Sequence, residues 1–357
     1  MYKVEGNAIS TSIVLCLHNP RHKIWMHKIC AKKWGIKMNT KDELLKIFSV
    51  KLRTILGKLN IDFEKLQEIR LRINAPLMII YGNKETFIAE DAKMVDNPRL
   101  AVQITRNEIR ETMEYISNYS LYAFEEEIKQ GFITINGGHR IGIAGKILIE
   151  DDDIKGMKHI SFINIRLAHQ VRGCADLVLP YVINRKLGEI YHTLIISPPR
   201  CGKTTLLRDM IRQLSNGSTY LAGMSIGVVD ERSEIGACYM GTPQNELGIR
   251  TDILDCCPKA KGMMMLIRSM SPQIIAVDEI GSREELEAID YVIGCGCKLI
   301  ATVHGSSIED IKNKPILCEL VKKKLFERYI ILSNYSEIGH LEEVYDTDGK
   351  RVFTSDK

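Results

Sequence analysis

The sequence predicts an α/β chain: a parallel sheet flanked by helices, preceded by a smaller α+β domain. Two observations carry this. After residue 190, four short apolar runs alternate with helical stretches, the mark of strands covered on both faces. Before it, apolar residues alternate with period two and are punctuated by hairpin turns.

The 357 residues suffice for about two domains of roughly 100–200 residues each. A hydrophobic share of 45% against 26% charged excludes a wholly disordered or fibrous chain. Apolar runs such as Ile274–Val277 and Tyr329–Leu332 fall far short of the roughly 18 residues of a spanning helix. The net charge of +4 is uneven: residues 1–38 carry +6 and the remainder −2. The body therefore gives no signal for a polyanionic partner, and no nucleic acid is expected.

Residues 1–38 read as a basic leader, with Met38 a candidate start and a basic membrane-surface contact as the alternative. Thr40 and Glu43 have capping-box spacing ahead of Leu44, Phe48, Leu52 and Ile55, which predicts one helix running to Gly57. Ile69, Leu71 and Ile73 then alternate as a strand. Leu77–Tyr81 follows with a Gly82-Asn83 turn. A second capping box, Thr105 and Glu108, opens a helix through Ile109, Met113 and Ile116. Phe132–Ile135, Gly137-Gly138 and Arg140–Ala144 read as a hairpin, and Glu150–Asp153 as a solvated loop. These elements make residues 39–180 the α+β domain, 181–340 the second domain and 341–357 a tail. The ten cysteines contain no Cys-x-x-Cys pair, so reduced thiols are expected rather than a zinc knuckle.

Ser197-Pro198-Pro199-Arg200-Cys201-Gly202-Lys203-Thr204, with Thr205 next, joins an apolar strand to a helix closed by Asn216-Gly217. Its Gly-Lys-Thr end and its strand–loop–helix setting match the phosphate-binding loop, with Ser197 in place of the first glycine. Such loops need backbone amides and a helix N-terminus to receive phosphate oxygens. Lys203 would neutralise the β/γ charge, and Thr204 would offer a hydroxyl to Mg²⁺. ATP and Mg²⁺ are the expected cofactors.

Ile274–Val277 ends in Asp278-Glu279, about 75 residues beyond the loop. Asp278 is expected to hold Mg²⁺ or its water, and Glu279 to orient and deprotonate the attacking water. Val228-Val229 ends in Asp230-Glu231-Arg232; the two acids face the same pocket or form a surface pair with Arg232. Leu299–Val303 ends in His304, a candidate γ-phosphate sensor or a structural histidine. Met263–Ile267 is expected to be helix core, with Arg268 after it free in solvent or reaching phosphate.

Taken in order, the loop, Asp230-Glu231, Asp278-Glu279 and Thr302-Val303-His304 resemble the Walker A, aspartate, Walker B and histidine boxes of the type II/type IV secretion ATPases. Ser197–Thr205, together with Val229–Ile235 and Arg268-Ser269-Met270-Ser271-Pro272, resembles the sporulation members of that group, over most of residues 40–340. The resemblance implies a RecA-like P-loop NTPase fold and an ATPase forming a ring, a hexamer. That ring would lie peripheral to the membrane on the mother-cell side, and its partners would be membrane proteins of the sporulation channel. It also implies that an arginine of the amino-terminal domain, among Arg140, Arg166 and Arg172, completes a neighbour's site. Two alternatives stay open: a P-loop ATPase acting on nucleic acid, and a weakly hydrolysing nucleotide-binding ring scaffold.

Overall fold

The structure, a computed structural model, describes residues 40–119, 124–218, 221–333 and 339–355; the basic leader lies outside the described residues. Helix α1 (Thr40–Leu45) falls in a separate unit, Met1–Lys46, and the remaining elements form a second unit, Ile47–Lys357. The single helix expected from Thr40 to Gly57 is thus two. Helix α2 (Val50–Lys58) begins afresh on Ser49, whose hydroxyl accepts the Leu52 amide and whose own amide donates to Thr112 Oγ1 at 3.2 Å. A serine that caps a new helix stops the preceding one whatever the apolar spacing. Gly57 lies inside α2 rather than ending it.

Seven antiparallel strands make the first sheet: β1 (Leu66–Arg72), β2 (Met78–Tyr81), β3 (Lys84–Ile88), β4 (Met94–Val95), β5 (Phe132–Thr134), β6 (Arg140–Glu150) and β7 (Asp153–Arg166). Their order is β4-β3-β2-β1-β7-β6-β5. Helix α3 (Arg106–Ile116) has the expected capping box and buries Ile109, Met113 and Ile116; α4 (Glu125–Gln130) leads into β5. Gly82 and Asn83 both take positive φ in the β2–β3 turn, as the turn reading requires.

After a short helix α5 (Leu179–Val182) and the two-residue strands β8 (Ile183–Asn184) and β9 (Glu189–Ile190), the second sheet begins. It holds β10 (Thr193–Ser197), β11 (Ile226–Asp230), β12 (Thr251–Asp255), β13 (Ile274–Val277), β14 (Lys298–His304), β15 (Arg328–Ser333), β16 (His340–Asp346) and β17 (Arg351–Thr354). The order is β12-β11-β13-β14-β10-β15-β16-β17, parallel through β15 and antiparallel beyond. Most of the segment read as a tail is therefore built into this sheet. Helices α6 (Lys203–Asn216), α7 (Lys259–Met270), α8 (Arg283–Gly294), α9 (Ile308–Lys312) and α10 (Cys318–Lys322) fill the connections.

Every residue of β10 is buried, and successive side chains enter opposite cores. Ile195 joins Leu206, Met210 and Val228 on one face; Leu194 and Ile196 join Val277, Ile289 and Tyr329 on the other. Met263 and Leu266 pack in the second core while Met265 is exposed, so the methionine run is one face of an amphipathic α7. Arg268 is exposed.

Asp209, on the second turn of α6, holds the crossing between the two sheets. Its Oδ2 accepts the amides of Gly173 and Ala175 at 2.9 and 3.0 Å, and Oδ1 takes both Arg212 donors. Burial works to raise its pKa, but the Ala175 amide, Arg212 and Gln213 outweigh it and the carboxyl titrates below its ordinary 3.8. Its stabilisation is present above that ordinary value and lost as pH falls through the folded pKa. Asp209→Ala should cost about 3 kcal/mol at neutral pH, because Arg212 and two amides lose their acceptor, and the difference from the parent should close in acid. Urea unfolding at a series of pH values measures both.

Candidate active site

The order β11-β13-β14-β10 sets four carboxyl-terminal strand ends side by side, where ligands of parallel sheets are bound. Ser197 at the end of β10 is in register with His304 at the end of β14, and Val277 of β13 lies opposite Ala301 of β14. The β10 loop, Asp278-Glu279 and His304 thereby converge.

Ser197 is fully buried and donates its hydroxyl to the Pro198 carbonyl at 2.8 Å. It still belongs to extended backbone, so a serine fits without strain where the loop pattern has glycine. The left-handed conformations fall instead on Arg200 (φ 62°) and Gly202 (φ 83°). Arg200 and Pro199 are exposed; Cys201 is buried, with its thiol 3.6 Å from the Pro199 carbonyl. Gly202 caps α6 without a side chain, leaving the first helical amides unsatisfied from within the cap.

Lys203, 7% exposed, donates from Nζ to Glu279 Oε1 at 2.7 Å. His304 Nε2 lies 3.3 Å from the same ammonium and 3.0 Å from the same carboxylate oxygen. That nitrogen accepts from Lys203 or donates to Glu279, never both, so its tautomer follows the state of the pair. Thr204 donates its hydroxyl to Asp278 Oδ2 at 2.6 Å, and Thr302 donates to Asp278 Oδ1. Thr205 uses its carbonyl to accept the Cys174 thiol. A hydroxyl and a carboxylate side by side are hard oxygen donors of the kind Mg²⁺ takes alongside phosphates. The residues fit the expected cofactors.

Glu279 has φ 55°, which a residue with a Cβ rarely adopts. Its amide donates to Thr302 Oγ1 at 2.9 Å, its Oε2 accepts from Arg232 at 2.7 Å, and its carbonyl accepts from Lys259 at 3.0 Å. Burial pushes the Glu279 carboxyl up, but Lys203, His304 and Arg232 outweigh it and hold the group below its usual range. It is ionised at neutral pH.

The second acidic pair faces one small cleft together with Asp278 and Glu279, as one of the two readings expects, but its members have different partners. Asp230, 2% exposed, accepts the amides of Glu234 and Gly236, each at 2.8 Å, and so folds the loop after β11. Burial pushes its carboxyl up to about 6; the two amides work against this, and neighbouring Asp255 adds to it. Glu231 is exposed and pairs with Lys259 at 2.8 Å, not with Arg232, whose partner is Glu279.

Arg140 and Arg166 face each other across β6 and β7 and line one cleft of about 350 Å³ with Thr204, Arg208 and Glu234 of the same chain. Arg140 lies 3.5 Å over the Phe132 ring and 3.3 Å from Glu234, and burial together with Arg166 lowers its pKa. Arg172 stands apart, paired with Glu246 at 2.5 Å on the surface. Of the three arginines that the resemblance offers, the first two share a cleft with Thr204 of the same chain. Sequence reasoning missed Lys259, Arg208 and the pairing of Arg232, because each finds its partners only across the fold.

The profile of the family described as "Sporulation stage III, protein AA" matches residues 38–352. The chain belongs to that family. It is 41% identical over 290 residues to stage III sporulation protein AA of Bacillus subtilis, covering 80% of this chain and 88% of that protein. Its fold is similar to that of the ATPase DotB of Yersinia pseudotuberculosis, with TM-score 0.51 and 14% identity over 85% of this chain and 78% of that one. At that identity the likeness speaks for the fold: the chain carries the RecA-like P-loop NTPase architecture of the secretion ATPases.

The raised Asp230 carboxyl gives a testable pH effect. A group whose pKa rises on folding stabilises below its unfolded value and loses that contribution as pH rises through the folded one. The stability of the parent relative to Asp230→Asn should therefore fall by about 3 kcal/mol between about pH 4 and about pH 7, since each tenfold change in proton affinity is worth about 1.4 kcal/mol. Chemical unfolding of both proteins across that range checks it.

Proposed function

We propose that this chain is a Mg²⁺-dependent ATPase that works as a ring of copies, a hexamer, on the mother-cell side of the membrane facing the forespore. It would couple hydrolysis to assembly of, or transport through, a channel of sporulation membrane proteins. Family membership supports the sporulation setting. No helix among the described residues is long and apolar enough to cross a membrane, which suits a peripheral location. The observation that carries the enzymatic reading is the meeting of Lys203, Glu279 and His304 at one point, with Thr204 and Asp278 beside them.

Lys203 and the open amides of α6 would bind the phosphates, and Thr204 with Asp278 would hold the Mg²⁺. Bound Mg²⁺ supplies neutralisation of the phosphoryl charge. Glu279, ionised and fixed through its backbone, accepts the proton of the attacking water. Its basicity is held down while Lys203 lies on it, and rises when the ammonium turns to phosphate. His304, bonded to both, follows that transfer. Arg140 and Arg166 steady the developing charge in their own chain's cleft.

Purified chain should hydrolyse ATP only with Mg²⁺; no turnover under any protein concentration would overturn the reading. Lys203→Ala should weaken ATP binding at least about 100-fold, measured by equilibrium binding. Glu279→Gln should bind ATP at least as tightly as the parent, since the amide no longer competes for Lys203. Its single-turnover rate should fall by about 10²–10⁴. For the arginines, mixing Glu279→Gln with Arg140→Ala subunits should restore no activity, because one chain supplies both halves; recovery would return the arginine to the neighbour.

A further inference from the structure

Lys259 occupies a position that lysine seldom takes. It opens α7, where a cation opposes the helix dipole, and it is 7% exposed. Three oxygens surround its Nζ: Glu231 Oε2 at 2.8 Å, Glu285 Oε1 at 3.1 Å and the Glu279 carbonyl at 3.0 Å. Glu285 is itself fixed, its Oε2 accepting the amides of Gly281 and Ser282 in the capping box of α8. Burial alone would depress the lysine, but Glu231 and Glu285 outweigh it and keep the ammonium charged.

The third partner matters most. Glu279 sits in left-handed backbone, a conformation that persists only where its surroundings hold it. One side is held by Thr302, whose hydroxyl takes the Glu279 amide and whose carbonyl takes the Ile280 amide at 3.0 Å. The other side, the Glu279 carbonyl, is held by Lys259.

We propose that Lys259 is a positioning residue for Glu279: its ammonium fixes the Glu279 carbonyl, and with it the backbone that aims the carboxylate at Lys203 and at water. Glu231 and Glu285 then serve to keep the ammonium in place, so the acid after β11 acts on the reaction through a lysine rather than on water. This rests on the ATPase reading above.

The test uses the full chain and variants Lys259→Met, Lys259→Arg and Lys259→Met/Glu231→Gln, the last removing a carboxylate that Met would strand. For each, the ATP kcat and KM are measured together with hydrogen exchange of the Glu279–Gly281 amides. Lys259→Met should lose about tenfold or more in kcat with KM within about threefold of the parent, and these amides should exchange faster. The double variant should remain slow, and Lys259→Arg, which keeps the charge, should fall between. In a Glu279→Gln background, Lys259→Met should cause no further loss, since residues acting through one group are not additive. A folded Lys259→Met or double variant with the parent's kcat and amide exchange would overturn the proposal, as would an additive loss in the Glu279→Gln background. A parent without ATP turnover would instead bring down the ATPase reading, and amide exchange alone would then decide whether Lys259 fixes Glu279.

Discussion

The ammonium of Lys203 is the point on which the large sheet's functional edge depends. It joins the start of α6 to the acid after β13 and to the histidine ending β14, segments 76 and 101 residues away in sequence. Strand β14 lies between β10 and β13, so Glu279 stands two strand spacings from the loop, roughly 10 Å. A long side chain can cross that gap and a short one cannot. Lys203 and Glu279 are both largely buried, so the ammonium depends on this carboxylate for its compensation while the carboxylate also keeps Arg232, and the pair ties together three strand ends.

Much of this is legible in the sequence because parallel strands covered on both faces read as unbroken apolar runs. Thr193–Ser197, Ile226–Asp230, Ile274–Val277 and Lys298–His304 announce themselves that way, and each ends in or beside the residue that matters. Elements at the sheet's margins are quieter. Strand β12 is half-buried, and β16 pairs with β15 across a bulge at Ile331/Leu332 that spoils the alternation on which strand reading relies. The break between α1 and α2 is hidden because Ser49 falls among apolar residues whose helical spacing continues across it. In sequence, Lys259 looks like one more solvated cation beside Lys261; only the fold supplies Glu231, Glu285 and the Glu279 carbonyl.

The small sheet contributes by register. Pairing of β6 with β7 sets Arg140 opposite Arg166, and like charges directly across two strands are unfavourable. Glu234 and the Phe132 ring relieve Arg140 in part, while its Nε remains buried without a hydrogen-bond partner. The same cleft admits Thr204, so the electrostatic tension of the small sheet is directed at the loop of the large one.

The hairpin turn before β6 sits against the loop after β11 in an unusual way. Gly137 and Gly138 have φ of 85° and 74°; a Cβ on Gly138 would stand 3.2 Å from those of Ala237 and Gln244, and the Gly137 amide donates to Gln244 Oε1 at 2.9 Å. At this turn the seam between the sheets is drawn largely in main chain and the first carbons of side chains, beside the side-chain pairs Arg140–Glu234 and Arg172–Glu246. It works as a gauge of distance more than of chemistry: a displacement of the loop hung from Asp230 by less than the width of a methyl group would already be felt across the seam, whatever residues decorate the surface around it.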